Sequence, residues 1–314
     1  MKILFCTAGF SQAINALRKY LPKGFEVVAR NENIPFTEQV RDFEVLIPAM
    51  AKITREVMLA APKLKLIQQC GVGLEGVDIE AARELGIYVA NVPGANAISV
   101  AEHVIFLMLA LARKFNEASK SFREGKIGEP AGHEIYGKTL GIIGLGRSGT
   151  ELAKRAKALG MRVLAIKKNP NSELARKLEL DFLGGPGDLD FVLENSDFIS
   201  IHVPLTSETR NLIGEREFKL MKKTAYLINI ARGPIVNREA LYKALKERWI
   251  AGAALDVFWE EPPNPDDPLF KLDNIIVTPH VAGVTHEAYD RIAKEVAENI
   301  VRVSKGLSPK HRVV

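Results

Sequence analysis

The stretch Lys138 to Asn169, KTLGIIGLGRSGTELAKRAKALGMRVLAIKKN, restricts the possible folds more than any other part of the chain. Thr139 to Ile143 is a short apolar run with strand character, broken at Gly144, Gly146 and Gly149. From Ser148 to Leu159 the apolar residues Leu152, Ala153, Ala156 and Leu159 recur at helical spacing, and Arg162 to Ile166 reads as a second strand. A bare G-x-G-x-x-G is weak. Set between a buried strand and an amphipathic helix, it becomes a dinucleotide-binding fingerprint. Gly144 permits the tight turn, Gly146 lets the backbone approach a pyrophosphate, and Gly149 lets the helix pack close to the strand. The phosphates then sit at the helix N-terminus, which places Arg147 and Ser148 beside the cofactor.

The rest of the chain is compatible with that reading. Its 314 residues are enough for two domains, each with a core of its own. Hydrophobic residues at 47% and charged residues at 26% exclude wholesale disorder. The formal charge of +5 raises nucleic acid as a partner, but Lys and Arg are scattered along helical stretches and form no long basic block, so no nucleic-acid role is expected. Cys6 and Cys70 lie in apolar strand-like runs and fit buried thiols in a reducing, cytoplasmic compartment. No signal pattern or membrane-spanning run is read, and no metal site, since Cys and His do not occur at ligand spacing.

Before residue 98, Lys2–Cys6, Glu26–Ala29, Val45–Pro48, Leu64–Gln68 and Tyr88–Asn91 are strand candidates. They alternate with helical stretches such as Gln12–Tyr20 and Ile79–Leu85, which predicts a parallel sheet covered on both faces. Ser99 to Arg113 is apolar nearly all round and must be covered on every side; Ser99 and Glu102 match a capping box. Phe115 to Tyr136 is polar, without periodicity, and reads as a loop or arm over a neighbour; His103 and His133 read as structural. Beyond the glycine turn, strands are expected at Phe198–Val203, Ala225–Ile230, Ala253–Phe258 and Asn274–Thr278. Past their carboxyl ends stand His202, Pro204 and Thr206, then Arg232, then Asp256 to Glu261, then His280, all on the edge where open α/β sheets bind ligands.

The runs GVGLEGVD, NVPGANAISVAEH, GIIGLGRSG, HVPLTSETRNLI, LINIARGPIVNREAL, ALDVFWEEP and TPHVAGVTHEA resemble the D-isomer-specific 2-hydroxyacid dehydrogenase family, in order and spacing, over almost the whole chain. The resemblance implies two doubly wound parallel-sheet domains, a Rossmann dinucleotide-binding domain (99–284) inserted into a smaller flavodoxin-like substrate domain (1–98 plus 285–314). By the same resemblance Arg232 holds the substrate carboxylate, His280 is the general acid and base, and Glu261 is its acidic partner. Val72 and Gly73 match backbone donors to the carboxylate, Asp256 a nicotinamide-carboxamide ligand, Thr206 a residue near the cofactor phosphates, and Ile230 a further cofactor contact. A homodimer joined through the cofactor domain is also implied, as is the absence of the C-terminal regulatory domain of some phosphoglycerate dehydrogenases.

The chemistry agrees. Hydride addition to a 2-keto acid builds negative charge on the carbonyl oxygen, which a guanidinium can orient and a protonated imidazole can quench. Where the fingerprint has an acidic residue about 20 residues past the glycines, this chain has Lys167 and Lys168, which favours NADP(H) while leaving NAD(H) open. Two other readings stand beside the reductase: a dinucleotide-sensing corepressor-like protein, and a formate- or phosphite-type dehydrogenase.

Overall fold

The computed structural model describes all 314 residues. They separate into two compact units, Met1–Asn96 with Val284–Val314, and Ala97–Gly283.

In the first unit, β1 (Lys2–Phe5), β2 (Glu26–Ala29), β3 (Val45–Ile47), β4 (Leu66–Gln68) and β5 (Tyr88–Ala90) form a parallel sheet of order β2-β1-β3-β4-β5. That order is flavodoxin-like. The inner strands are largely apolar because both their faces are buried, whereas the edge strand β2 is only partly so. Ile3, Phe5, Val45 and Ile47 pack with Ile14 and Leu17 of the helix Ser11–Tyr20 and with Val296 and Ile300 of the helix His286–Ser304. Leu4, Leu46, Ile67 and Val89 face Val57, Met58 and Ala81. The His286–Ser304 helix begins at Thr285, whose hydroxyl accepts from the Ala288 N–H at 3.1 Å. It is tied to the sheet by a buried polar pair, Asn299 Nδ2 donating to Gln68 Oε1 at 2.8 Å while Asn299 Oδ1 accepts from the Lys310 N–H at 2.7 Å.

In the second unit, β6 (Thr139–Ile143), β7 (Arg162–Ile166), β8 (Phe182–Gly184), β9 (Phe198–Ile201), β10 (Tyr226–Asn229), β11 (Gly252–Leu255) and β12 (Ile275–Val277) form an all-parallel sheet of order β12-β11-β10-β9-β6-β7-β8. This is the doubly wound Rossmann order with a seventh strand, and the order reverses between β6 and β9. Strand β8 is not expected from sequence, because its Phe-Leu-Gly is a half-buried edge strand ending in glycine; it forms where the edge of β7 offers Leu164 and Ile166 as partners to Phe182 and Gly184.

Two expectations about the helices are corrected. The apolar helix runs Ala97–Ala112, so Ser99 is buried inside its first turn and cannot cap it, and Glu102 pairs instead with Arg155 at 3.2 Å. Its inner side, Val104, Leu107, Met108 and Leu111, joins Leu152, Ala153 and Ala156 in one core, while within the single chain Ile98, Phe106 and Leu109 are exposed. The segment read as a loop contains the helix Phe115–Arg123, none of whose residues is buried. Phe115 and Phe122, seven apart and therefore on one face, are its only large apolar residues, which is why the pattern did not register.

Candidate active site

The glycine turn is built at the switch point between β6 and β9. Gly144 has φ +105°, and a Cβ there would lie 2.8 Å from the His202 carbonyl carbon and from the Val203 nitrogen, so no larger residue fits. A Cβ on Gly149 would lie 2.5 Å from the Gly144 oxygen, which is the close approach of helix to strand. Gly146, by contrast, caps the helix Arg147–Ala158 and has open space where a side chain would stand. A tight turn, free room above the helix N-terminus and several unpaired N–H groups fit a dinucleotide's phosphates. Arg147 is exposed at this end.

At the end of β7, Lys167 turns back over the turn and donates from Nζ to the Leu145 carbonyl at 2.9 Å. Lys168 is exposed and faces Glu208 at 3.4 Å. Thr206 lies in the loop after β9, its N–H donating to Thr209 Oγ1 at 2.8 Å, and Ile230 follows β10 half-buried against the core. His202 is enclosed between two hydroxyls, Nδ1 3.0 Å from Ser148 Oγ and Nε2 2.9 Å from Ser200 Oγ. Burial pulls its imidazole down to about 4, so it is neutral at physiological pH.

The loops after β10, β11 and β12 deliver Arg232, Glu261 and His280. The first is pinned by the buried Asn229, whose Nδ2 donates to the Arg232 carbonyl at 2.9 Å and whose Oδ1 accepts from the Ala231 N–H at 3.1 Å. Arg232 Nη1 donates to the Ala231 carbonyl at 2.6 Å. Gly233 presses against the loop after β11; a Cβ there would fall 2.1 Å from the Phe258 carbonyl carbon and 2.2 Å from its oxygen. That loop ends at Glu261, whose Oε1 accepts from the Phe258 N–H at 3.2 Å and whose Oε2 is 2.7 Å from His280 Nδ1. Partial burial raises the Glu261 carboxyl, but the His280 hydrogen bond and charge, the Phe258 N–H and the Arg232 guanidinium outweigh it and hold it below the usual range. The imidazole is left about one-third exposed on its outer side.

His280 has φ +55° and stands on a turn suspended from Asp256. This carboxylate is fully buried and accepts from Thr278 Oγ1 at 2.5 Å, from the Val281 N–H at 2.9 Å and from the Ala282 N–H at 2.8 Å. Because Thr278 spends its proton on Asp256, His103 Nε2, 3.0 Å from the same hydroxyl, is the donor. His103 thus belongs to the scaffold under His280. Burial lowers its imidazole more than Asp256 raises it. Sequence reasoning named Arg232, Glu261, His280 and Asp256 but missed Asn229, Gly233 and Thr278, whose signal was their place beside the arginine and histidine in ARG and TPH.

Residues 105–282 match the NAD-binding domain of the D-isomer-specific 2-hydroxyacid dehydrogenases. The chain belongs to the D-isomer-specific 2-hydroxyacid dehydrogenase family. A glyoxylate reductase from Korarchaeum cryptofilum is 44% identical over 283 residues, 88% of this chain and 84% of that protein. Among solved structures, D-lactate dehydrogenase from Escherichia coli aligns with a TM-score of 0.88 and 28% identity over 100% of both chains. An NAD-dependent formate dehydrogenase from Staphylococcus aureus, solved with NAD, aligns at 0.83 and 31% identity over 100% of this chain and 99% of its own. As a 2-hydroxyacid dehydrogenase the protein is an oxidoreductase, and the Ala97–Gly283 unit carries its NAD-binding domain. Val72 and Gly73 lie in the other unit, in the loop following β4, where Val72 is exposed and its carbonyl accepts from Asn91 Nδ2 at 3.1 Å.

Proposed function

We propose that this 2-hydroxyacid dehydrogenase reduces a small 2-keto acid to the D-2-hydroxy acid, and runs the reverse oxidation, with Arg232, Glu261 and His280 as its catalytic residues. The observation that carries the reading is the 2.7 Å contact between Glu261 Oε2 and His280 Nδ1 on loops adjacent to the arginine loop. When bound, the nicotinamide cofactor supplies or accepts the hydride. Arg232 orients the carboxylate by paired hydrogen bonds. With Nδ1 held by Glu261, His280 presents Nε2 to the substrate oxygen, donating a proton in reduction and accepting one in oxidation. Asp256, expected from sequence to contact the carboxamide, is instead fully buried with its oxygens taken by Thr278, Val281 and Ala282, so its role is to hold the His280 turn in place. The test is oxidation of NADPH and NADH with glyoxylate, hydroxypyruvate, pyruvate and phenylpyruvate, beside a formate-oxidation arm. Turnover of a keto acid is expected; formate oxidation alone, or dinucleotide binding without turnover, contradicts the reading.

The preferred cofactor is proposed to be NADP(H), with NAD(H) accepted. What supports this is an ammonium group, Lys167, where an acidic residue would otherwise receive the ribose hydroxyl. Gly144, Gly146, Arg147, Ser148 and Gly149 form the phosphate site, with Thr206, Lys168 and Ile230 around it.

A homodimer is proposed as the working state, formed through the exposed apolar side chains of Ile98, Phe106 and Leu109 and of Phe115 and Phe122. Nine residues are too few for a helix to persist without packing, and the Phe115–Arg123 helix buries none of its own. A second copy of the same surface would cover both helices. Light scattering of Phe106→Asp/Phe122→Asp should show a monomer where the parent is a dimer; an unchanged mass would place the interface elsewhere. A cytoplasmic location is proposed on the two free thiols, Cys6 buried and Cys70 partly so. No helix is long and apolar enough to cross a membrane.

A further inference from the structure

We propose that the Ser148 hydroxyl is a fixed hydrogen-bond donor to the dinucleotide pyrophosphate, held in that role by a relay from the buried Ser200 through His202. The glycine turn as a family feature offers backbone N–H groups; the relay adds a side-chain donor. Ser200 lies inside β9 with no exposure, and its hydroxyl has a single partner, His202 Nε2 at 2.9 Å. A buried hydroxyl proton without an acceptor is costly, so Ser200 donates to Nε2. The imidazole is only partly exposed, and desolvation holds it neutral, so it carries one proton, which must sit on Nδ1. Nδ1–H donates to Ser148 Oγ at 3.0 Å. Ser148 accepts there, so its own proton is directed away from His202. It stands in the first turn of the helix Arg147–Ala158, next to the open space over Gly146.

The inference rests on the dinucleotide site and not on the identity of the keto acid. Its test therefore uses binding of ADP-ribose, which carries the pyrophosphate but no nicotinamide, and of adenosine, which carries neither. Ser148→Ala is expected to weaken ADP-ribose about tenfold, a charge-assisted hydrogen bond of roughly 1.4 kcal/mol, and to leave adenosine unchanged. Ser148→Thr, which keeps the hydroxyl, should restore the affinity. His202→Leu should weaken ADP-ribose similarly, and adding it to Ser148→Ala should cost nothing more. In the unliganded parent protein, imidazole nitrogen shifts should report His202 protonated on Nδ1. Wild-type affinity for ADP-ribose in Ser148→Ala, additive losses in the double variant, or a proton on Nε2 would overturn the relay. A parent that binds ADP-ribose with the Ser148 dependence but reduces no keto acid upholds the relay and removes only the proposed reaction.

Discussion

Replacing Gly233 by alanine should disable the site without touching a reacting group. The added methyl would lie 2.1 Å from the Phe258 carbonyl carbon, 2.2 Å from its oxygen and 2.6 Å from the Trp259 nitrogen. Carbon atoms in contact rest at about 3.5–4.0 Å, so well over 1 Å must be recovered by moving one loop against the other. Every clashing atom is backbone, so no side chain can swing aside. Arg232 precedes Gly233, and Glu261 is tied to the Phe258 N–H, so the displacement falls on the distance between guanidinium and carboxylate. A misplacement of about 1 Å can lower turnover on the order of 10²-fold, and overpacking costs about 1–3 kcal/mol. Steady-state kcat/KM for the best keto acid should fall about 100-fold or more, Tm by several degrees, and dinucleotide affinity little, since the glycine turn lies on β6. A variant within threefold of wild type in kcat/KM would refute the reasoning.

Asp256→Asn should leave one of the Val281 and Ala282 N–H groups facing an amide N–H, costing about 1–3 kcal/mol in a Tm measurement and lowering kcat as the His280 turn loosens. The Glu261 carboxyl is held below its ordinary value of 4.5, so its contribution to stability is present above that value and lost as pH falls through the lowered one; the Tm advantage of wild type over Glu261→Gln should shrink as pH falls below about 4.5. Lys167→Asp should shift the ratio of kcat/KM for NADPH over NADH toward NADH by roughly 10-fold or more, an effect that an unchanged ratio would deny. Lys168 carries less of this preference, because Glu208 already faces it.

Most of the architecture was legible because both sheets are parallel and buried, which writes strands as apolar runs, and because glycine turns mark the sites where backbone must approach backbone. Gly144 and Gly149 could be assigned steric reasons from spacing alone, and the chemistry-bearing residues stand just past strand ends. What escaped lies in partnerships across the fold. Nothing adjacent to His103 in sequence points to Thr278, 175 residues away. Nothing beside Ser200 announces that His202 will be its single acceptor. The Ser99 capping box failed for a similar reason: the helix starts earlier, at Ala97, and Glu102 is drawn to Arg155 on a neighbouring helix. Likewise, nothing in the sequence shows that Lys167, read as a charge favouring NADP(H), also donates to the Leu145 carbonyl.

The central claim is that His280, aligned by Glu261, protonates the substrate oxygen while the cofactor's hydride enters at C2. The most direct test follows deuterium from labelled NADPH or NADH into the hydroxy acid formed from pyruvate or hydroxypyruvate, with chiral separation and mass analysis of the product. The account predicts one deuterium at C2 of the D-enantiomer, with His280→Gln forming it at least 10²-fold more slowly while binding the dinucleotide normally. An L-configured or unlabelled product, or a His280→Gln variant as fast as wild type, would contradict it.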